Sequence, residues 1–191
     1  MSNTLDNCRR FALELARVAV DRLLPQECLL CARQSASNPV CTPCRNNLPM
    51  LPNSRCPRCA MPVATAETCG RCTTRPPSFD ATHAVFRYAA PCDRLITALK
   101  YRHRLPAAAF LAEQLVQSLQ AAHRARTSAG GTPSEPKTAR IDWVIGLPLH
   151  PRRLARRGFN QSVEMGRRAA QALDLPFSVE LIRRHRDTQP Q

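Results

Sequence analysis

Eight of the ten cysteines in this 191-residue chain fall into four C-x-x-C pairs: Cys28/Cys31, Cys41/Cys44, Cys56/Cys59 and Cys69/Cys72. The intervals between consecutive pairs are 9, 11 and 9 residues. A C-x-x-C pair forms a tight knuckle whose two sulfurs supply one edge of a tetrahedron, and a second knuckle about ten residues on completes a closed Zn(Cys)4 site. Two structural Zn2+ ions follow. The simplest pairing is sequential, Cys28/Cys31 with Cys41/Cys44 and Cys56/Cys59 with Cys69/Cys72; a crossed pairing of first with third and second with fourth satisfies the same chemistry. Iron–sulfur ligation is the other metal chemistry open to four thiolates. A closed four-sulfur site leaves no coordination position for substrate, so these metals are structural rather than catalytic. The repeated 9-residue interval, with turn residues Asn38-Pro39 and Met61-Pro62, predicts an internal repeat of a short zinc-ribbon hairpin. Neither half carries a conspicuous apolar core, so metal binding supplies most of its folding free energy, about 10 kcal/mol or more per site. Cys8 and Cys92 have no partner at knuckle spacing and read as free thiols.

A second chemistry is written between Leu147 and Gln161, where Arg152, Arg153, Arg156 and Arg157 occupy four of six positions ahead of Gly158 and Asn160. The planar guanidinium grips phosphate bidentately. Gly158 permits close backbone approach, and Asn160 is a candidate N-cap that would turn the amides and dipole of the next helix toward the same place. A phosphate or pyrophosphate fits such a loop. The competing reading is a solvated basic surface loop, since no carboxylate pair, Ser/His/Asp set or P-loop accompanies the cluster. His150, between Pro148 and Pro151, reads as an orienting or surface imidazole rather than a general base.

These two features sit in a chain with 28 Lys+Arg against 14 Asp+Glu, a formal charge of +14. All but Lys100 and Lys137 of the basic residues are Arg, which invites a phosphate-bearing partner unless codon composition alone inflates Arg. Each Zn(Cys)4 centre carries −2, so the zinc-loaded chain stays strongly basic, near +10. With 43% apolar residues the chain is globular rather than disordered. It has no run of about 20 apolar residues and no signal peptide, so a cytoplasmic location without membrane insertion is expected. Reducing conditions there favour metal ligation over disulfides.

The elements that must position these residues follow from periodicity. Residues 8–24 place Phe11, Leu15, Val18 and Ala19 at helical spacing, an amphipathic helix that closes a first segment, 1–25, before the ribbons of 26–75. Ala81 to Tyr88 alternates as a strand. Asp93–Arg102 and Ala107–Arg124 read as helices with apolar Leu95, Ile96, Leu99 and Phe110, Leu111, Leu115, Leu119. Thr127 to Arg140 is a loop by composition. Ile141 to Leu149 reads as a buried strand, Phe159 to Leu173 as a helix and Phe177 to Ile182 as a strand. Alternating strands and helices over 76–191 make this part α/β.

Four knuckles, then Leu99-Lys100-Tyr101, the run PLHPRRLARRGFNQ from Pro148 to Gln161, and RRHRDTQPQ from Arg183 together resemble the ComF family, the competence-protein-F or GntX-like proteins. The resemblance spans about Leu23 to Gln191. It implies an N-terminal double zinc ribbon on a type I phosphoribosyltransferase-like parallel sheet with flanking helices. It further implies that the Pro148–Gln161 loop faces the pyrophosphate of phosphoribosyl pyrophosphate (PRPP). The residues so implied are Lys100, His150, Arg152, Arg153, Arg156, Gly158, Asn160 and Gln161, with the Arg183–Gln189 segment, Thr188 and Gln189 in particular, reaching the same pocket. Partners implied are PRPP with Mg2+, incoming single-stranded DNA in natural transformation, and a competence helicase. The acidic pair and Thr/Gly-rich loop that hold the ribose and 5′-phosphate in such transferases are found nowhere in the 191 residues. The expectation is therefore a member truncated at the C-terminus, with an incomplete sheet and no transferase activity of its own.

Two non-enzymatic readings stand beside this one. Ribbons and Arg loop could bind a nucleic-acid backbone with strong salt dependence, although 5% aromatic content offers few stacking platforms. The ribbons could instead dock a protein partner.

Overall fold

The computed structural model describes residues 26–35, 38–65, 67–128 and 141–188. The amphipathic helix expected at 8–24, most of the 127–140 loop, and Gln189 lie outside them. The boundary between two compact units falls between Asn47 and Leu48.

In the first unit, β1 (Gln26–Glu27) pairs antiparallel with β2 (Gln34–Ser35), Gln26 opposite Ser35 and Glu27 opposite Gln34. The turn between them carries Ala32 at φ 58, a left-handed conformation that an L-residue adopts only when its surroundings require it. A short helix, α1 (Thr42–Asn46), starts immediately after Cys41 with a proline in its first turn, where a missing N–H costs nothing.

The second unit repeats this device. Arg55 bridges antiparallel to Pro62, Ala60 takes φ 58, and α2 (Gly70–Thr74) starts after Cys69. Residues 49–51 then bridge to 85–87: Met50 pairs with Phe86, the Leu51 N–H donates to the Val85 carbonyl at 2.9 Å and the Arg87 N–H to that of Pro49 at 2.8 Å. The strand expected over 81–88 is thus a single bridge. Its partner is flanked by Pro49 and Pro52, and Pro52 has no N–H to extend a ladder. Arg55 Nη1 donates to the Ala84 carbonyl at 2.8 Å, fixing the second ribbon to the same segment.

The helical part follows. α3 (Cys92–Arg102) ends at His103, in the left-handed region at φ 53, and α4 (Leu105–Ser128) runs on from it. Helix thus continues through Thr127 and Ser128, which composition had placed in a loop. Leu95, Leu99, Phe110, Leu111 and Val116 are buried, the i, i+4 stripe that an amphipathic helix turns inward. Of the expected core, Ile96, Leu115 and Leu119 are only half-buried.

β3 (Val144–Ile145) and β4 (Phe177–Ser178) pair in parallel, Val144 with Phe177 and Ile145 with Ser178. Between them run α5 (Pro151–Arg157) and α6 (Gln161–Leu173). The longest interface joins α4 to α6, and α6 also covers β3 and β4. Both strands are shorter than their apolar runs. Gly146 and Pro148 stop β3, and alternate residues Ile141, Trp143, Ile145 and Leu147 are exposed rather than buried. Gly146 is needed sterically: a Cβ there would lie 2.9 Å from Val163 Cγ2 and 3.0 Å from Val163 Cα. That close approach sets the end of β3 against the start of α6.

Candidate functional site

Two cysteine tetrads are assembled. Cys28, Cys31, Cys41 and Cys44 converge, as do Cys56, Cys59, Cys69 and Cys72, the sulfurs of each set all within 4.8 Å of one another. The pairing is sequential; the crossed arrangement is not formed. Cys31 Sγ lies 3.7 Å from Cys41 Sγ, and Cys59 Sγ 3.6 Å from Cys69 Sγ. A tetrahedron with Zn–S bonds of ~2.3 Å has edges of ~3.8 Å, so the sulfurs stand at zinc-ligand separation. Both tetrads fit structural zinc.

The second sphere is built by the same backbone twice. The Cys41 N–H donates to Cys28 Sγ and the Cys69 N–H to Cys56 Sγ, each at 3.4 Å. Ala32 and Ala60 N–H groups donate to the Cys28 and Cys56 carbonyls, both at 2.9 Å, which closes the knuckle and explains the two left-handed alanines. Burial pushes the Cys28 thiol up, but the Cys41, Leu30 and Cys31 amides outweigh it and hold it at about 6. The Cys59 and Cys69 amides bring Cys56 likewise to about 6. Burial, then hydrogen bonds to the neighbouring sulfurs, pushes Cys44 and Cys72 up to about 12. One sulfur of each tetrad is thus poised as thiolate, while Zn2+ must displace the proton held by Cys44 and by Cys72. Cys92 is buried in α3 and its thiol is raised by that burial and by Asp93; it is an inert core residue.

The basic segment does not form one open loop. Residues 151–157 are helical because Pro151 enters at the first turn and His150 caps it, Nδ1 accepting from the Arg152 N–H at 3.3 Å. The helix divides the Arg cluster into two i, i+4 rows. Arg153 and Arg157 line a cleft of about 500 Å³. Arg152 and Arg156 are exposed and do not line it.

Lys100 and Tyr101 from the end of α3, Leu147, Pro148 and Leu149 after β3, Gln161 and Ser162 at the start of α6, and Arg184 and Thr188 form the rest of the wall. Arg157 lies over the Tyr101 ring, 5.5 Å from its centroid, and donates from Nη1 to Gln161 Oε1 at 2.8 Å. Arg153 donates to the Thr188 carbonyl and lies 3.9 Å from the Asp187 carboxylate, which is also 3.7 Å from His150 Nδ1. Arg184 donates to Thr188 Oγ1 at 2.5 Å.

Of the expected phosphate residues, Lys100, Arg153, Gln161 and Thr188 therefore meet in the cleft. His150 and Asn160 act as caps beside it. Asn160 Oδ1 accepts from the Ser162 N–H and its Nδ2 donates to the Leu147 carbonyl, both at 2.9 Å, joining the end of β3 to α6. Gly158 closes α5 at φ 76; its use is left-handed freedom rather than close approach, since nothing lies within 4 Å of where a Cβ would stand. Ser162 was not singled out from the sequence, Arg157 was read only as one of the four clustered arginines, Arg184 only as part of the 183–189 segment, and Tyr101 only as a motif neighbour of Lys100. Reading Pro151 as a helix start would have put Arg157 on the Arg153 face.

A family model, the double zinc ribbon domain, matches residues 19–73. The DNA utilization protein YhgH of Escherichia coli is 32% identical over 171 residues, covering 88% of this chain and 70% of the relative. The chain belongs to the ComF family. Its YhgH relative in Salmonella typhi is 34% identical over 139 residues, 72% of this chain and 57% of that protein. A more distant ComF-family relative, Competence protein F of Haemophilus influenzae, is 24% identical over 165 residues, 79% and 68% of the two chains. No solved structure matches. Among the described residues no helix is long and apolar enough to cross a membrane.

Proposed function

We propose that this ComF-family chain binds PRPP, or a ligand with the same pyrophosphate group, in the cleft walled by α3, α5 and the 183–188 segment, and that it does so in the handling of incoming DNA. The observation that carries the reading is the convergence of Lys100, Arg153, Arg157 and Arg184, drawn from three separated segments, on one concave site. Four cations in a partly enclosed cleft match the charge of a pyrophosphate, and three of them, Arg153, Arg157 and Arg184, are planar forks suited to bidentate oxygen contact. Mg2+ would enter with the ligand.

The placement supports a phosphoribosyltransferase-like ancestry for residues 76–191, behind a ribbon region of 26–75. β3 and β4 are parallel with helices between them, and the cleft lies beyond the carboxyl end of β3, where open α/β sheets bind ligands. The DNA-uptake role rests on the names of the relatives, which speak of DNA utilization and competence.

Titration calorimetry with Mg-PRPP tests this: saturable one-to-one binding supports it. A second reading, sequence-independent contact with single-stranded DNA, is favoured by the exposed Arg152/Arg156 row. Its mark is single-stranded DNA affinity with a steep salt slope and no PRPP saturation. If both titrations are silent while two zinc ions are bound, the reading that survives is docking of the ribbons to a protein partner.

A further inference from the structure

The cleft depends on a contact made outside it. His103 ends α3 in the left-handed region, its N–H bonded to the Ala98 carbonyl. Its Nε2 lies 2.9 Å from the Arg157 carbonyl. A carbonyl can only accept, so Nε2 carries the proton and donates. The His103 ring also packs on Phe159 in a tilted arrangement, centroids 5.4 Å apart and planes at 55°, within the separation at which aromatic pairs attract.

The turn after α3 is thereby pinned to the turn after α5. Arg157 is held at its backbone by His103 and at its guanidinium by Gln161 and Tyr101. The Arg157 carbonyl is one of those that a helix C-terminus leaves without an intrahelical partner. The imidazole satisfies it with a group anchored on a different helix.

We propose that His103 is a positioning residue for the phosphate cleft: it fixes Arg157 over Tyr101 and keeps the α3 and α5 walls in register, so that the guanidinium meets its ligand already ordered. This rests on the reading of the cleft as a pyrophosphate site. An ordered fork binds more tightly than a free one because less side-chain freedom is lost on association.

Two substitutions separate positioning from folding. Asn tolerates the left-handed backbone but is too short to reach the Arg157 carbonyl; Gln places an amide N–H near the position of Nε2. With inorganic pyrophosphate as the probe, H103N is expected to bind about fivefold to tenfold more weakly than wild type, and H103Q close to wild type. Both are expected to melt within a few degrees of wild type.

Unchanged affinity in H103N overturns the proposal. So does equal loss in both variants accompanied by a lowered Tm, which would make His103 a folding residue. If wild type itself fails to bind pyrophosphate, the cleft reading fails and the positioning role falls with it; binding by wild type with an indifferent H103N rejects the positioning role alone.

Discussion

Cys28 and Cys56 are equivalent residues of a repeat with a 28-residue offset. Each accepts an N–H from the cysteine thirteen residues on, Cys41 or Cys69, at 3.4 Å. The Glu27–Gln34 pair maps onto the Arg55–Pro62 bridge, Ala32 onto Ala60, and α1 onto α2. The two metal centres are one design used twice, although the chain divides into compact units between them.

Zinc content should therefore fall in steps. Wild type is expected to carry two zinc ions per chain, and Cys28→Ser or Cys56→Ser to carry one. Metal analysis of the purified variants, with circular dichroism before and after chelation, reads this directly. Loss of a site removes about 10 kcal/mol or more of folding free energy from its ribbon, so retention of both ions by either variant would contradict the assignment.

Acid should release both metals over one pH interval. Cys28 and Cys56 are held at about 6 in the fold against an ordinary 9.0. A group with a lowered value in the fold contributes stability that is complete above its ordinary value and is lost as pH falls through the lowered one. These values describe the metal-free ribbons, so zinc affinity measured against a chromophoric chelator should fall more steeply with acid below about 6, where Cys28 and Cys56 also take up a proton that the metal must displace. Two well-separated steps would mean that the tetrads are not equivalent.

Gly146→Ala should destabilise the second unit. The new methyl would stand 2.9 Å from Val163 Cγ2 and 3.0 Å from backbone, so the start of α6 must shift; overpacking of this kind costs about 1–3 kcal/mol. Thermal melts should show a lowered Tm, whereas Gly70→Ala, with nothing within 4 Å of its Cβ position, should melt close to wild type.

Asn160→Ala removes an N-cap and the bond to the Leu147 carbonyl together. About 1–2 kcal/mol of stability should be lost. PRPP affinity should fall as well, because Leu147 and Gln161, on either side of Asn160, are both walls of the cleft. A destabilised variant with unchanged affinity would separate the cap from the binding site.

The ribbons were legible in the sequence because four knuckles at fixed spacing leave metal chemistry few solutions; the choice between sequential and crossed pairing was not, since both satisfy that chemistry. Helices α3 and α4 were legible from the Leu95, Leu99 and Phe110 stripe. The strands were overread. The mostly apolar run Ile141–Leu149 reads as a buried strand, but Ile141, Trp143, Ile145 and Leu147 are exposed, and an apolar run reports what could be buried rather than what is covered. Within the site, Arg residues could be counted but not sorted, because the division of α5 into two rows depends on a helix capped by His150 and begun by Pro151. Arg184 and Tyr101 reach the cleft only through tertiary packing, which no local pattern encodes.

That sorting gives the most direct test of the central claim. PRPP titrations would compare two double variants of equal charge, Arg153→Ala/Arg157→Ala and Arg152→Ala/Arg156→Ala. The account predicts that the first abolishes saturable binding and that the second leaves it within about twofold of wild type, allowing for the loss of distant surface charge. Equal loss in both, or loss confined to the Arg152/Arg156 pair, would contradict it.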